Sequence, residues 1–415
     1  MARTQARYSP EFLSAFRHFR VNQDKEGMQA FLESHLKCIQ PSSCKPKPNG
    51  KIAFAFDIDG VLVHGGTPLP GAKATLEFLQ RQKISFIFLT NGGGATEKDV
   101  IAIHAGRLSM TNMSEHQFVQ SHSPFKDLVP SLKDKNVLIL GGVGNNLREV
   151  AKSYGFNHVL TSSDICKADP KAYLFTEYTI DRHFEQGSDI IRRGPNGEIQ
   201  ISAIMVWSSP RDWGLDLQII MDFLLSEKGR LNTVSLYNGD FKLPDRGYLQ
   251  DEQPPIYFSN PDLTFKTAHP QPRAGQGSFR AALEGLWAAR TDGAQLLNVK
   301  TVGKPTETTY AFAEKTLTEW SKTIDGGDGQ IGTVYMIGDN PASDIQGANN
   351  FQSSHGTVWK SILVESGIYV AGTKPAHEPD MIVKGVKEAV EWALRDSELR
   401  DFGHIPDENV SSGSS

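Results

Sequence analysis

The fold is decided by IAFAFDIDG, residues 52–60, in which five apolar residues run directly into a pair of aspartates and a glycine. Such an apolar run is typical of a parallel strand that is covered on both faces. Asp57 and Asp59 therefore lie at the mouth of a buried strand. Asp57 needs no prior deprotonation to attack a phosphoryl group, and Asp59 points to the same side and can transfer a proton. Read alone, Asp-x-Asp-Gly also fits a calcium-binding loop or an ordinary turn.

Two further polar signatures stand at the edge of predicted elements. Thr90 follows the apolar run 84–89 and precedes the glycines 92–94, whose backbone N–H groups can approach an anion closely. Lys304 opens the helical stretch 306–317, where an ammonium would neutralise both a phosphate and a nucleophile. The ordinary readings are a glycine-rich turn and a common helix start.

An acid-rich loop follows a third apolar run, residues 334–337. Asp339 and Asp344 lie in this loop and offer the oxygen ligands that a hard cation prefers. Asp344 alone would also fit the cap of the helix that follows.

In chain order these signatures resemble the haloacid dehalogenase superfamily, whose members use an aspartate nucleophile, a threonine or serine, a lysine and a magnesium-binding acidic pair. The resemblance extends from Lys51 to about Leu394. Finer motifs resemble the class IIA hydrolases and, within them, the cat eye syndrome critical region protein 5 subfamily. Ser366 stands where relatives usually carry threonine. The finer motifs are residues 57–62, 89–94, 259–263 and 359–364.

The resemblance implies an α/β fold with a Rossmann-like core, built on a parallel sheet, and an inserted α/β cap of type IIA. A chain of 415 residues is also too long for one ordinary core. Short apolar runs at 137–140, 201–207, 233–237 and 256–258 predict strands that alternate with helices in the cap. The expected divisions are an N-terminal extension that forms a targeting segment or an amphipathic helix (1–50), the first part of the core (51–132), the cap (133–297), the second part of the core (298–396) and a flexible tail (397–415).

Catalytic and metal-binding roles follow from the same resemblance. Asp57 would form an aspartyl-phosphate, while Asp59 would protonate the leaving oxygen and later activate water. Mg²⁺ would be bound by the carboxylates of Asp57 and Asp339 and by the backbone carbonyl of Asp59, with Asp344 either a direct ligand or just behind the ligands.

The remaining candidates would hold the substrate. Thr90, Asn91, Gly92 and Lys304 would bind the phosphoryl oxygens. The cap would contribute four substrate-binding residues, Asn260, Asp262, His269 and Arg273.

The sequence therefore predicts a Mg²⁺-dependent phosphatase that hydrolyses a small phosphorylated metabolite. The dehalogenases of the superfamily lack an acid at the position of Asp59, which sets dehalogenation aside. The alternative hypothesis is a non-catalytic protein that keeps this fold to bind a metal, a phosphate or a partner.

The amino-acid composition argues against several classes of protein. A net charge of -5 gives no reason to expect a nucleic-acid partner. No stretch approaches the roughly 18 consecutive apolar residues of a membrane span, so we expect no transmembrane protein, and the cysteine usage argues against a secreted one. Three cysteines without zinc-like spacing are typical of a reducing compartment.

Location and assembly are less determined. The first twenty residues carry four arginines against one acid, Glu11, as in a mitochondrial targeting peptide, but no clear cleavage site follows. Mitochondrial and cytoplasmic locations both stay open. The resemblance also implies a homodimer formed through the cap.

A glycine-rich turn at 141–144 follows the predicted strand 137–140, as a dinucleotide site would begin. Leu147 takes the place of the third glycine or alanine. We therefore interpret the segment as a structural turn of the cap and predict no such cofactor.

Overall fold

The computed structural model describes residues 50–175, 179–189, 191–265, 269–398 and 404–406. These residues belong to one compact unit of the chain, Pro48–Ser415. The predicted targeting segment or helix of the extension lies outside the described residues, as does most of the predicted flexible tail.

Short strands and helices alternate along the described chain. The strands are β1 (Ile52–Phe56), β2 (Val63–His64), β3 (Thr67–Pro68), β4 (Ser85–Leu89), β5 (Phe118–Val119), β6 (Asn136–Leu140), β7 (His158–Leu160), β8 (Ala203–Val206), β9 (Ile256–Phe258), β10 (Thr264–Phe265), β11 (Arg273–Ala274), β12 (Val299–Thr301), β13 (Thr333–Gly338), β14 (Val358–Val364) and β15 (Met381–Val383). The α-helices are α1 (Ala72–Arg81), α2 (Glu97–Leu108), α3 (Val129–Leu132), α4 (Asn146–Tyr154), α5 (Ser162–Ala168), α6 (Ile180–Gln186), α7 (Trp213–Leu225), α8 (Gln276–Arg290), α9 (Glu307–Asp325), α10 (Gln346–Asn350) and α11 (Val386–Asp396).

A six-stranded parallel sheet forms the core, in the order β15-β14-β13-β1-β4-β5. Alternate residues of β1 face opposite sides. Phe54 and Phe56 pack in the cluster that includes residues of α1 and α11, whereas Ala53 and Ala55 pack with residues of α9. Both faces are covered, which explains why β1 is an unbroken apolar run.

The cap contains a second parallel sheet, in the order β12-β9-β8-β6-β7. Helices α7 and α8 pack on one face, and α4 packs on the other. The α/β fold class of the prediction is thus confirmed, with two parallel sheets in one chain.

The chain passes between the sheets twice, first between β5 and β6 and later after β12. The strand β12 was expected in the second part of the core, but it pairs with β9 and so extends the cap sheet. Only after Thr301 does the chain return toward the core helix α9. The other domain divisions stay predictions.

The strand expected at 233–237 is wrong, because this segment forms an irregular loop and turn. Its Val234 and Leu236 are 73% and 96% exposed, while Ser235 is buried. The Ser235 amide donates to the Leu225 carbonyl and so completes the end of α7 instead of a sheet. The alternating apolar residues of this segment therefore do not belong to a strand with a buried face.

Candidate active site

Three neighbouring strands of the core end in candidate residues. Asp57 follows β1, Thr90 follows β4 and Asp339 follows β13, and these strands lie side by side in the order β13-β1-β4. Carboxyl ends of parallel strands meet at one edge of a sheet, so the side chains face a shared space.

Lys304 lies between two of the carboxylates. Its Nζ is 3.0 Å from Asp57 Oδ1 and 2.6 Å from Asp344 Oδ1. The lysine side chain is only 1% exposed. Burial alone would lower the pKa of Lys304, but the charges of Asp344 and Asp57 outweigh it and raise the pKa above the ordinary value. The ammonium therefore stays charged beside Asp57.

The acidic cluster has the composition of a divalent-cation site. Carboxylate oxygens of Asp57, Asp339 and Asp344 lie within 4.8 Å of one another. Burial, followed by the charges of Asp57 and Asp344, raises the pKa of Asp339 to about 8. Burial also raises the pKa of Asp344 to about 6, against the lowering effect of Lys304. Three carboxylates exceed the one ammonium, so the donor set fits a hard cation with oxygen ligands.

Backbone amides orient this cluster. The Ile368 amide donates to Asp339 Oδ2 at 2.8 Å, and the Asn340 amide donates to Asp344 Oδ2 at 3.0 Å. Asp344 itself belongs to a π-helical turn, Pro341–Ile345. Its carboxylate faces Lys304 as well as this turn, which goes beyond the simple role of a helix cap.

Asp59 is more exposed than Asp57. Partial burial, followed by the negative charge of Asp57, raises the pKa of the Asp59 carboxyl. A raised pKa favours a group that gives up a proton and takes it back near neutrality.

The glycine turn after Thr90, residues 92–94, is tightly held. The Gly92 amide donates to Thr90 Oγ1 at 3.0 Å, and the Gly92 carbonyl accepts from the Ser121 amide at 3.1 Å. A β-carbon on Gly93 would lie 2.8 Å from the His122 ring, so glycine is required by the close approach. Because the Gly92 amide already has an intramolecular acceptor, its contact with a phosphoryl oxygen stays a prediction.

Asn91 connects the glycine turn to the lysine segment and to the cap. Its Oδ1 accepts from the Lys304 amide at 2.7 Å, and its Nδ2 donates to the Lys304 carbonyl at 2.9 Å. The same Nδ2 lies 3.2 Å from Asp262 Oδ2, and Asn260 Nδ2 donates to the Asn91 carbonyl at 3.0 Å. Two of the four predicted cap residues thus meet the core motifs.

The other two cap candidates, His269 and Arg273, make hydrogen bonds to neighbouring residues of their own segment. His269 and Arg273 are exposed. Arg273 Nε donates to the neighbouring Pro272 carbonyl, and His269 Nδ1 is 3.1 Å from the Gln271 carbonyl. Their substrate-binding role stays a prediction.

Sequence reasoning missed the buried residues that support Asn260. Gln276 Oε1 accepts from the Asn260 amide at 2.9 Å, and Gln276 Nε2 donates to Ser259 Oγ at 3.0 Å. It also missed His122, which contacts the glycine turn. A polar run after the short apolar pair at 118–119 was the available signal for His122.

Comparison with known proteins gives the family. Residues 54–157 match the family described as haloacid dehalogenase-like hydrolase, and residues 301–389 match the family described as HAD-hydrolase-like. A mitochondrial hydrolase of Saccharomyces cerevisiae is 37% identical over 83% of this chain and 96% of its own length. A cardiolipin synthase (CMP-forming)/mitochondrial hydrolase fusion protein of Schizosaccharomyces pombe is 38% identical over 87% of this chain. The chain spans only 56% of that fusion protein.

Solved structures share the fold. A hypothetical protein from Pyrococcus horikoshii superposes with a TM-score of 0.52 at 19% identity, covering 82% of this chain and 99% of its own. A p-nitrophenyl phosphatase from Archaeoglobus fulgidus superposes with a TM-score of 0.50 at 16% identity, covering 84% of this chain and 100% of its own. Within the described residues, no helix is both long and apolar enough to cross a bilayer. With a relative matched over nearly its whole length and both halves of the core recognised, the chain belongs to the haloacid dehalogenase-like hydrolases and has the class IIA fold.

Proposed function

We propose that the chain is a Mg²⁺-dependent phosphatase that hydrolyses a small phosphorylated metabolite through an aspartyl-phosphate on Asp57. The observation that carries this proposal is the position of Lys304, which pairs with both Asp57 and Asp344 beside Asp339. Phosphoryl transfer requires mainly positioning and charge stabilisation, and this cluster supplies an ammonium and a set of cation ligands.

The chemical steps use two aspartates. Asp57 Oδ1 is occupied by Lys304 and by the Ile58 amide at 2.8 Å, which leaves Oδ2 to attack phosphorus. The P–O bond to the leaving group breaks as the Asp57–phosphorus bond forms, and Asp59 gives its proton to the leaving oxygen. Asp59 then takes a proton from water, which attacks phosphorus, releases inorganic phosphate and restores Asp57.

The other residues hold charge and geometry. Lys304 and Thr90 would bind phosphoryl oxygens, with Asn91 keeping the lysine backbone in place through its two hydrogen bonds. Asp57, Asp339 and Asp344 would hold Mg²⁺, which supplies further neutralisation of phosphoryl charge when bound.

A compact substrate is supported by the cap. Asn260 and Asp262 lie against Asn91, directly beside the lysine segment. Cap residues this close to the phosphoryl site would leave little room for a folded protein substrate. A small molecule such as a sugar phosphate, a glycerol phosphate or a nucleotide fits better.

The test is release of inorganic phosphate from p-nitrophenyl phosphate and from a panel of phosphorylated metabolites, with Mg²⁺ and with chelator. We expect Mg²⁺-dependent release by the wild type and none by Asp57→Asn. Asp59→Asn should lower kcat by about 10²–10⁴, the usual contribution of general acid–base catalysis. Asp127→Asn is the matched control, because Asp127 is 55% exposed and pairs only loosely with Lys315 at 3.7 Å.

The alternative non-catalytic role makes an opposite forecast. A binding protein would release no phosphate from any compound, and Asp57→Asn would keep its affinity for inorganic phosphate. That pair of results would overturn the phosphatase proposal.

We also propose a mitochondrial location, which is supported by the two relatives, since both are described as mitochondrial hydrolases. Imaging of the full chain fused at its C-terminus to a fluorescent protein tests it, and a purely cytoplasmic signal would contradict it. The subfamily assignment and the homodimer through the cap stay predictions, and sedimentation velocity decides the second.

A further inference from the structure

His122 is a fully buried histidine beside the glycine turn. Its Nε2 accepts a hydrogen bond from the Gly94 amide at 3.2 Å. Because that nitrogen accepts, the ring proton must lie on the other nitrogen, Nδ1. The side chain therefore has one required tautomer.

The second ring nitrogen begins a chain of hydrogen bonds. Nδ1 donates to Tyr154 Oη at 3.0 Å, and the tyrosine hydroxyl donates to Glu97 Oε1 at 2.5 Å. The same carboxylate oxygen accepts from Ser123 Oγ and from Lys126 Nζ, each at 2.9 Å. From the Gly94 amide to the Tyr154 hydroxyl, each donor in this series of hydrogen bonds has an acceptor. The polar groups of the series are therefore paired within the protein.

The ring is also fixed by aromatic packing. His122 stacks on Trp207 with a centroid distance of 5.1 Å and an interplanar angle of 27°. Tyr154 packs on the same indole at 5.2 Å. Trp207 follows β8 and Tyr154 ends α4, so both partners of the histidine are cap residues. His122 itself lies in the first passage of the chain toward the cap, between β5 and β6.

The glycine turn needs such support. Glycine has more backbone freedom to lose than any other residue, so a turn built on three of them holds its shape only through its contacts. Three contacts come from the segment around His122. The Ser121 amide donates to the Gly92 carbonyl, Gln120 Nε2 donates to the Ala95 carbonyl, and His122 accepts from Gly94.

We propose that His122 is a positioning residue, which holds the glycine turn in its working geometry and ties it to the cap through Tyr154 and Trp207. The proposal rests on the proposed phosphatase function, because the turn directly follows Thr90 and Asn91 in the candidate phosphoryl site. The competing explanation is that His122 only fills space in a buried aromatic cluster.

Two substitutions at His122 distinguish the hydrogen bond at Nε2 from the hydrogen bond at Nδ1. In His122→Gln, the amide oxygen can reach the position of Nε2 and accept from Gly94. In His122→Asn, the shorter amide can reach only the position of Nδ1, and the Gly94 amide is left unpaired. His122→Phe keeps the stacking on Trp207 and removes both hydrogen bonds.

Two measurements are made on each full-length variant. The first is kcat and KM for p-nitrophenyl phosphate with Mg²⁺. The second is hydrogen–deuterium exchange of the peptide that covers Gly92–Ala95, which does not depend on turnover. We expect His122→Asn and His122→Phe to lower kcat about 10- to 100-fold with little change in KM, as a displacement of about 1 Å would do. Both should speed exchange of this peptide, and His122→Gln should restore most of both signals.

Tyr154→Phe tests the tie to the cap and guards against variants that fail to fold, because it keeps the ring and removes only the hydroxyl. We expect faster exchange of the glycine-turn peptide and a smaller fall in kcat. Unchanged exchange and kcat in this variant would overturn the tie to the cap.

Equal kcat and equal exchange in folded His122→Phe and wild type would overturn the positioning role and leave only packing. If the wild type releases phosphate from neither this probe nor any compound of the metabolite panel, the proposed function fails, yet the exchange measurement still decides whether His122 holds the turn. The two failures are therefore distinguishable.

Discussion

Single residues of the site are arranged around an excess of negative charge. Three carboxylates, those of Asp57, Asp339 and Asp344, face one ammonium on Lys304. Because the lysine and Asp344 are buried, each would be costly to leave without its partner. Lys304 pairs with two carboxylates but contributes only one positive charge. A bound cation would neutralise the negative charge that remains on the cluster.

The buried histidine predicts a loss of stability in mild acid. Burial, helped by Lys126 and opposed by Glu97, lowers the pKa of His122 to about 4. Between the ordinary pKa of about 6.5 and that value, the unfolded chain binds a proton that the folded chain does not. The free energy of unfolding should therefore fall as the pH drops through this window, by on the order of 3 kcal/mol from this residue.

Urea unfolding at pH 7, 6 and 5 measures this contribution. His122→Gln should lose stability less steeply with falling pH than the wild type, whereas His116→Gln, at an exposed histidine, should keep the wild-type slope. An equal slope in all three proteins would contradict the prediction.

At the scale of elements, the turn after β1 passes very close to the loop after β14. Gly60 has a φ of +83°, and a β-carbon on it would lie 2.2 Å from Asp339 Oδ2 and 2.8 Å from the Gly367 backbone. Ser366 Oγ donates to the Gly60 carbonyl at 2.6 Å. A threonine hydroxyl could make the same bond, so a change from serine to threonine at this position would keep the contact.

Two glycine substitutions should act in opposite directions. Gly60→Ala introduces a strained φ and pushes on Asp339, so we expect a loss of about 1 kcal/mol or more and weaker Mg²⁺ binding. Gly285→Ala adds a methyl group at an exposed position of α8 with no atom within 4 Å and should raise stability by about 0.5–1 kcal/mol. Thermal unfolding and Mg²⁺ titration of both variants are the measurements, and similar effects of the two would refute the argument.

Elements differed in how well the sequence predicted them. The strand before Asp57 and the strand before Asp339 were predictable, because strands buried on both faces leave contiguous apolar runs. The loop at 233–237 was not, since its apolar alternation is local and the pairing that would bury it is absent. The contacts of Asn91 with Lys304 and of His122 with Gly94 join distant parts of the chain, and no local pattern reports them.

For the whole molecule, the described chain places its candidate chemistry where the two sheets are connected. The first passage carries His122 beside the glycine turn, and the return passage carries Lys304. Asn91 hydrogen-bonds to the backbone of the return passage and to Asn260 of the cap. The position of the cap and the geometry of the core motifs are therefore linked by direct contacts.

Metal binding should stabilise the whole fold. Mg²⁺ at 100 times its dissociation constant would add about 2.7 kcal/mol to the free energy of unfolding. The pKa values of Asp344, about 6, and Asp339, about 8, mean that protons compete for the same oxygens. The stabilisation by Mg²⁺ should therefore grow as the pH rises from about 6 to about 8.

Thermal unfolding with Mg²⁺ and with chelator measures this gain at each pH. Asp339→Asn should abolish it, and Asp127→Asn should retain it. A gain that is the same at pH 6 and pH 8, or that survives in Asp339→Asn, would place the cation elsewhere.

The contacts of the first passage also limit how this enzyme could be re-engineered. A chimera that keeps residues 51–132 and receives a foreign cap would retain the imidazole of His122 but lose Tyr154 and Trp207. That ring would then be buried without its hydroxyl partner, and Asn91 would lose its bond to Asn260. A foreign cap must therefore supply a tyrosine, a tryptophan and an asparagine at the positions of Tyr154, Trp207 and Asn260. The cap can be exchanged only together with the residues by which it contacts the core.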